Sequence, residues 1–161
     1  MKVVRSMAYT RYKLDTETTE QDVLAAAEGI LKSRLERQGS IGSPTDANDF
    51  LRMRLGALSH EEFHVLWLDN RHRIIDCQKL FTGTVDGACV YPREVVRAAL
   101  SINASAAILA HNHPSGVAEP SAADRAITNE LRDALRLIGV RILDHIVVGD
   151  ECVSMASRGL M

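Results

Sequence analysis

A chain of 161 residues, 46% hydrophobic and 25% charged, suits one globular domain around one core. Its net charge of −2 excludes the chain-wide basic field that nucleic-acid binders use. No window approaches the ~20 apolar residues of a membrane helix, and the opening MKVVRSMAYTRYKLD lacks the apolar run of a signal peptide. Cys77, Cys89 and Cys152 make no CxxC pair, which argues against a disulfide scaffold or a cysteine-zinc site and fits a reducing cytoplasm.

Residues 1–15 read as a tail, with Lys2, Arg5, Arg11 and Lys13 as a weak basic arm. Thr19-x-x-Asp22 opens a helix as a capping box, and Val23, Leu24, Ala27, Ile30, Leu31 and Leu35 follow at helical spacing up to Gly39. A second helix starts at Ser43-Pro44-Thr45-Asp46, with Ser43 as cap and Ala47, Phe50, Leu51, Leu55 and Leu58 inward. EEFHVLWLD and RIIDCQKLF then make a hairpin, and CVY a short extended piece. Pro92 starts a helix with Val95, Val96, Ala99 and Leu100 inward. SAAILAH is a buried strand. Ser121 starts a helix whose core face is Ile127, Leu131, Ala134, Leu135 and Ile138. VRILDHIVVGD and ECVSMA close the chain as a strand pair. The order predicts an α/β domain with a sheet covered by helices. Residues 1–40 form an N-terminal tail and helix, and 41–161 the main domain.

Chemistry concentrates where SAAILAH runs into HNHPSG. Residues i and i+2 of a strand share a face, so His111 and His113 aim at one point with Asn112 turned away, and Pro114 ends the strand. Asp124, in the first turn of the next helix, is the candidate third ligand. Two imidazoles and one carboxylate with an open position form a catalytic metal set, and zinc is the default ion. The plain alternative is that the histidines are filler and that Ser121-x-x-Asp124 is only a capping box. A base must take a proton from water at such a site. Glu61 and Glu62 both stand at a strand entrance, and their opposite parity lets only one face the metal. Ser115 is a candidate donor to an oxyanion, or else a turn residue. His60, His64 and His72 carry no partner pattern. His145, in LDHIVV, reads as a hydrogen-bonded core histidine, and Asp86 and Asp144 carry no role.

HNHPSGVAEPSAAD is similar to the His-x-His-Pro-x-Gly…Ser-x-x-Asp signature of the JAMM (MPN-plus) metalloproteases. LFTGTVDGACVYPREVVRAALSINASAAILAHNHPSG and VRILDHIVVGDECVSMASRGLM resemble the RadC family within that group. The resemblance runs from about Phe50 to the C-terminus. It implies a cytidine-deaminase-like mixed sheet flanked by helices, zinc held by His111, His113 and Asp124, and hydrolysis of an amide or isopeptide bond in a polypeptide. It also implies a catalytic glutamate at the head of a strand, best matched by Glu62 with Glu61 the fallback, and the family's serine at Ser115. The RadC branch carries a DNA-repair name, and its longer members have a helix-hairpin-helix module for which no Gly-x-Gly hairpin pattern appears here. A nucleic-acid or partner-binding module with little peptidase activity is therefore the competing reading. A ferrous oxygenase shares the two-His-one-carboxylate pattern, but its usual all-β host does not match this element order. The string HNH is not the nuclease motif of that name, which spreads its residues over a hairpin and helix.

Overall fold

The computed structural model describes residues 2–5, 10–13, 19–38, 44–83 and 89–161. Strands β1 (Lys2–Arg5) and β2 (Thr10–Lys13) pair antiparallel, with Val3 opposite Tyr12. This corrects the expectation of a tail, since β-branched and aromatic residues favour pairing over disorder. Helix α1 (Glu20–Gln38) begins at Thr19, whose Oγ1 accepts from Asp22 N at 3.2 Å while Asp22 Oδ2 accepts from Thr19 N at 3.0 Å. The reciprocal box satisfies first-turn amides as expected. Val23 and Leu24, expected inward, are instead 38% and 39% exposed. α1 lies against α2 (Pro44–Leu55), and Leu31 packs against the core. The expected stop at Gly39 and cap at Ser43 lie outside the described residues.

Five strands make the main sheet: β3 (Glu62–Leu68), β4 (Ile74–Thr82), β5 (Ala106–Asn112), β6 (Arg141–Val148) and β7 (Cys152–Ser154), in the order β4-β3-β5-β6-β7. Only β5 and β6 run parallel, so the sheet is mixed. Cys89–Tyr91 carries no strand. Helix α3 (Pro92–Ile102) buries Val95 and Ala99, while Leu100 is 60% exposed, contrary to its expected inward position. Helix α4 (Ala122–Leu137) buries Leu131 and Leu135.

Two cores lie on the two faces of the sheet. Leu66, Leu68, Ala106, Ile108, Ala110, Ile146 and Val148 pack with Ala47, Phe50, Leu51 and Leu55 of α2. Phe63, Val65, Trp67, Ala107 and Leu109 pack with α3 and α4. Even-numbered positions of β3 and β5 thus face α2, and odd-numbered positions face α3 and α4. That parity decides which side chains reach the candidate site.

Candidate metal centre

β5 is the central strand, all of it buried, and its end carries the histidines. His113 N still donates to Val148 O at 2.8 Å, so the ladder holds through both. Their Nε2 atoms approach to 3.0 Å. His113 Nδ1 lies 2.7 Å from Val117 O. A carbonyl only accepts, so the proton is on His113 Nδ1 and Nε2 is left with a bare lone pair. His111 is 1% exposed, and its Nδ1 lies 2.8 Å from His145 Nε2.

Asp124 sits in the first turn of α4, where it closes the capping box and also faces both histidines. Its Oδ2 accepts from Ser121 N at 2.7 Å and Ser121 Oγ at 2.6 Å, while Ser121 Oγ accepts from Asp124 N at 3.1 Å. Its Oδ1 lies 3.1 Å from His111 Nε2, and Oδ2 lies 3.6 Å from His113 Nε2. Burial opposes the charge on Asp124, but hydrogen bonds with His111, His113 and Ser121 hold its carboxyl well below the usual carboxylate range. The bond with Asp124 in turn raises His113 against the effect of burial.

These three residues are the one group of three or more His, Cys, Asp or Glu among the described residues whose ligand atoms all lie within 4.8 Å of one another. The donor set fits a divalent ion. Two donor atoms held tetrahedrally at about 2.0–2.1 Å from one ion lie roughly 3.3 Å apart. The two imidazole Nε2 atoms are 3.0 Å apart, and each has a carboxylate oxygen of Asp124 nearby, Oδ1 at 3.1 Å from His111 and Oδ2 at 3.6 Å from His113.

The register of β3 against β5 separates the two glutamates. Phe63 is opposite His111, and the rings stack at 13° with centroids 6.4 Å apart. Glu61, the residue before β3, is close enough for its charge to raise the pKa of His113. Glu62 points to the other face. Its Oε2 is 2.8 Å from His64 Nε2, and its Oε1 is 3.0 Å from His60 Nε2 and 3.1 Å from Lys79 Nζ. Glu62, the best match to the catalytic glutamate, thus has its carboxylate engaged by His64, His60 and Lys79 rather than by the imidazoles of His111 and His113. Ser115 is exposed in the turn after His113, and its Oγ accepts from Val117 N at 3.4 Å, which engages a lone pair rather than the hydroxyl proton.

A family model described as a RadC-like JAB domain matches residues 41–160. The chain belongs to the RadC-like JAB-domain family. A UPF0758 protein of Thioalkalivibrio sulfidiphilus is 57% identical over 141 residues, covering 88% of this chain and 63% of that protein. Another, from Vibrio cholerae, is 51% identical over 149 residues, covering 92% of this chain and 94% of the relative. The chain thus spans less than two thirds of the first of these relatives and nearly all of the second. JAB domains belong in general to the JAMM/MPN superfamily and typically hold a metal, and this chain carries a His/His/Asp group that could hold one.

Three further residues hold these groups in place, and the sequence did not show their partners. Asn112, between the two histidines, faces α2; its Oδ1 accepts from Glu62 N at 2.8 Å, and its Nδ2 donates to His60 O at 2.9 Å. His145 is the hydrogen-bonded core histidine expected, but its partners are His111 and Thr128. Thr128 lies on α4, and only packing of α4 against β6 brings it to His145.

Proposed function

We propose that this RadC-like JAB domain is a metal-dependent hydrolase of amide bonds, with zinc as the expected ion and polypeptide amides, isopeptides included, as the substrate class. The observation that carries this reading is the convergence of His111, His113 and Asp124 at one strand end, with the charge of Glu61 felt at His113. When bound, zinc supplies Lewis acidity and brings the pKa of a water from about 15.7 toward ~7. His111 and His113 present imidazole nitrogens to the ion, and Asp124 supplies the negative charge. Glu61 is the base on this reading: its carboxylate takes the water's proton and passes it to the leaving amine. Ser115, on this reading, donates its hydroxyl proton to the carbonyl oxygen as charge develops there. Buried Phe63 backs the His111 ring and keeps solvent from that side.

The test is zinc analysis of the purified chain together with melting in chelator and in added zinc. Binding to the folded state alone raises stability as ligand exceeds Kd, by about 2.7 kcal/mol at a hundredfold excess. The wild type is expected to gain this, and His111→Ala and Asp124→Asn to lose it. A wild type that binds no zinc and melts alike in both conditions ends the hydrolase reading.

A further inference from the structure

We infer that Thr128 and His145 form a one-way hydrogen-bond relay that fixes the tautomer of His111 and leaves its Nε2 bare toward the cluster, which makes both of them positioning residues for the metal. This rests on the metal reading above for its purpose, but its direction follows from the protein alone.

The relay runs through four groups. His111 Nδ1 is 2.8 Å from His145 Nε2, His145 Nδ1 is 2.6 Å from Thr128 Oγ1, and Thr128 Oγ1 is 2.5 Å from Asp124 O. His111, His145 and Thr128 are 1%, 0% and 1% exposed, so no bulk water can substitute for a missing partner. The last acceptor sets the direction. A backbone carbonyl has no proton to give, so the Thr128 hydroxyl donates to Asp124 O. Its other contact, Met155 Sδ at 3.9 Å, is long and weakly accepting by comparison. Having spent its one proton, Thr128 must accept from His145, which puts the proton on His145 Nδ1. A neutral imidazole carries one N–H, and His145 is fully buried with Thr128 and His111 as its hydrogen-bond partners, neither of them a carboxylate, a setting that disfavours a charged ring. His145 Nε2 is therefore an acceptor, and His111 Nδ1 is the donor. The lone pair of neutral His111 then sits on Nε2, 3.0 Å from His113 Nε2 and 3.1 Å from Asp124 Oδ1.

Two routes thus reach one result. His113 is fixed directly by the Val117 carbonyl, and His111 through two intermediaries by the Asp124 carbonyl. The second route ends on the residue whose side chain is the third ligand. β5, β6 and the first turn of α4 are thereby tied in a closed circuit around the cluster. Every intermediary is neutral, so the relay orients His111 without adding negative charge.

The test begins with the wild type. Long-range proton–nitrogen correlation spectra of the 15N-labelled, metal-free chain, at a pH high enough to leave both imidazoles neutral, are expected to show His111 with a protonated Nδ1 and a bare Nε2. The reverse tautomer would overturn the relay, and this measurement needs no variant to fold. Thr128→Val and Thr128→Ser are then compared for zinc affinity by competition with a chromogenic chelator. Thr128→Val, checked as folded by its melting curve, is expected to bind zinc roughly tenfold or more weakly, and Thr128→Ser to retain wild-type affinity. A folded Thr128→Val with wild-type affinity overturns the positioning role. A wild type that binds no zinc sinks the hydrolase reading, and the metal-free imidazole spectrum then decides the relay on its own.

Discussion

Phe63 and His111 face each other directly across β3 and β5, their rings 13° from parallel. That register puts Glu62 on the face covered by α2, while Glu61, just before the strand, acts on His113 through its charge. Glu61→Gln is therefore expected to lower amide hydrolysis by ~10²–10⁴-fold, the usual contribution of a positioned base, with zinc content unchanged. Glu62→Gln is expected to leave the rate per folded molecule near wild type. Turnover of a fluorogenic peptide and isopeptide pool, normalised to bound zinc, compares the two. Equal losses in both variants would remove the distinction.

Asn112 bonds the backbone on both sides of Glu61, accepting from Glu62 N and donating to His60 O, while Gly83 N donates to Glu61 O at 2.7 Å. Asn112 is 2% exposed, so its loss leaves polar groups without water to replace it. Asn112→Ala is expected to cost about 1–3 kcal/mol for the orphaned groups, read by urea unfolding. It is also expected to lower turnover with zinc affinity kept, because the entrance of β3 loosens while His111 and His113 stay in the ladder. Wild-type stability and turnover in Asn112→Ala would show that Glu61 does not depend on this clamp.

The three candidate ligands were legible because their signals are local. A buried apolar strand, two histidines at period two, a proline stop and a capping box all lie within 18 residues of one another. The parity of the glutamates was not. Every residue of β3 is buried, from Glu62 to Leu68, so no polar-apolar alternation tells one face from the other. The phase comes from pairing with β5, far along the chain. Thr128 and His145 fail the same way, because 17 residues separate them and tertiary packing alone joins them. Helical spacing placed the α3 stripe but carried it one residue too far: Val95 and Ala99 face the sheet, and Leu100 has turned out to solvent.

Acid should act on the far face of the sheet before anything else is lost there. Burial opposes the charge on Glu62, but bonds from His64, Lys79 and His60 outweigh it and lower its pKa from 4.5 to about 2. A carboxyl depressed in the folded state stabilises above its unfolded pKa and loses that contribution as pH falls from about 4.5 toward 2. His64 adds to this in the same direction. Burial lowers its pKa against the raising bond from Glu62, so the unfolded chain takes up the proton first and stability drops as pH falls below about 6.5. Arg54 and Lys79 also face this cluster and lower His64 further. With chelator present throughout, urea midpoints from pH 7 to 3 are expected to fall more steeply in the wild type than in Glu62→Gln, with a difference of about 2–3 kcal/mol closing toward pH 3. Parallel curves would mean that the Glu62 cluster does not govern acid stability.

The turn between β6 and β7 supports the metal loop through contact too close for any side chain. A Cβ built on Gly149 would lie 2.2 Å from Gly116 O and 2.9 Å from Ala118 N, both backbone atoms. Asp150 N donates to Gly116 O at 2.8 Å, and Arg52 Nη2 donates to Asp150 O at 2.5 Å, so α2, the turn and the His-Pro-Ser-Gly loop are held together. Neither backbone can give way without moving Val117, whose carbonyl holds the proton of His113 on Nδ1. Gly149→Ala is therefore expected to destabilise the fold by ~1–3 kcal/mol, the usual cost of overpacking, and to weaken zinc as well. Ala at Gly139, which meets nothing within 4 Å but sits at φ +76°, supplies the contrast. Its left-handed backbone makes it costly for stability, yet it lies at the far end of α4 from the cluster and is expected to leave zinc affinity unchanged. Urea unfolding with chelator competition on both variants separates strain at the site from strain elsewhere. Equal zinc affinity in Gly149→Ala and the wild type would show that the turn does not hold His113 in place.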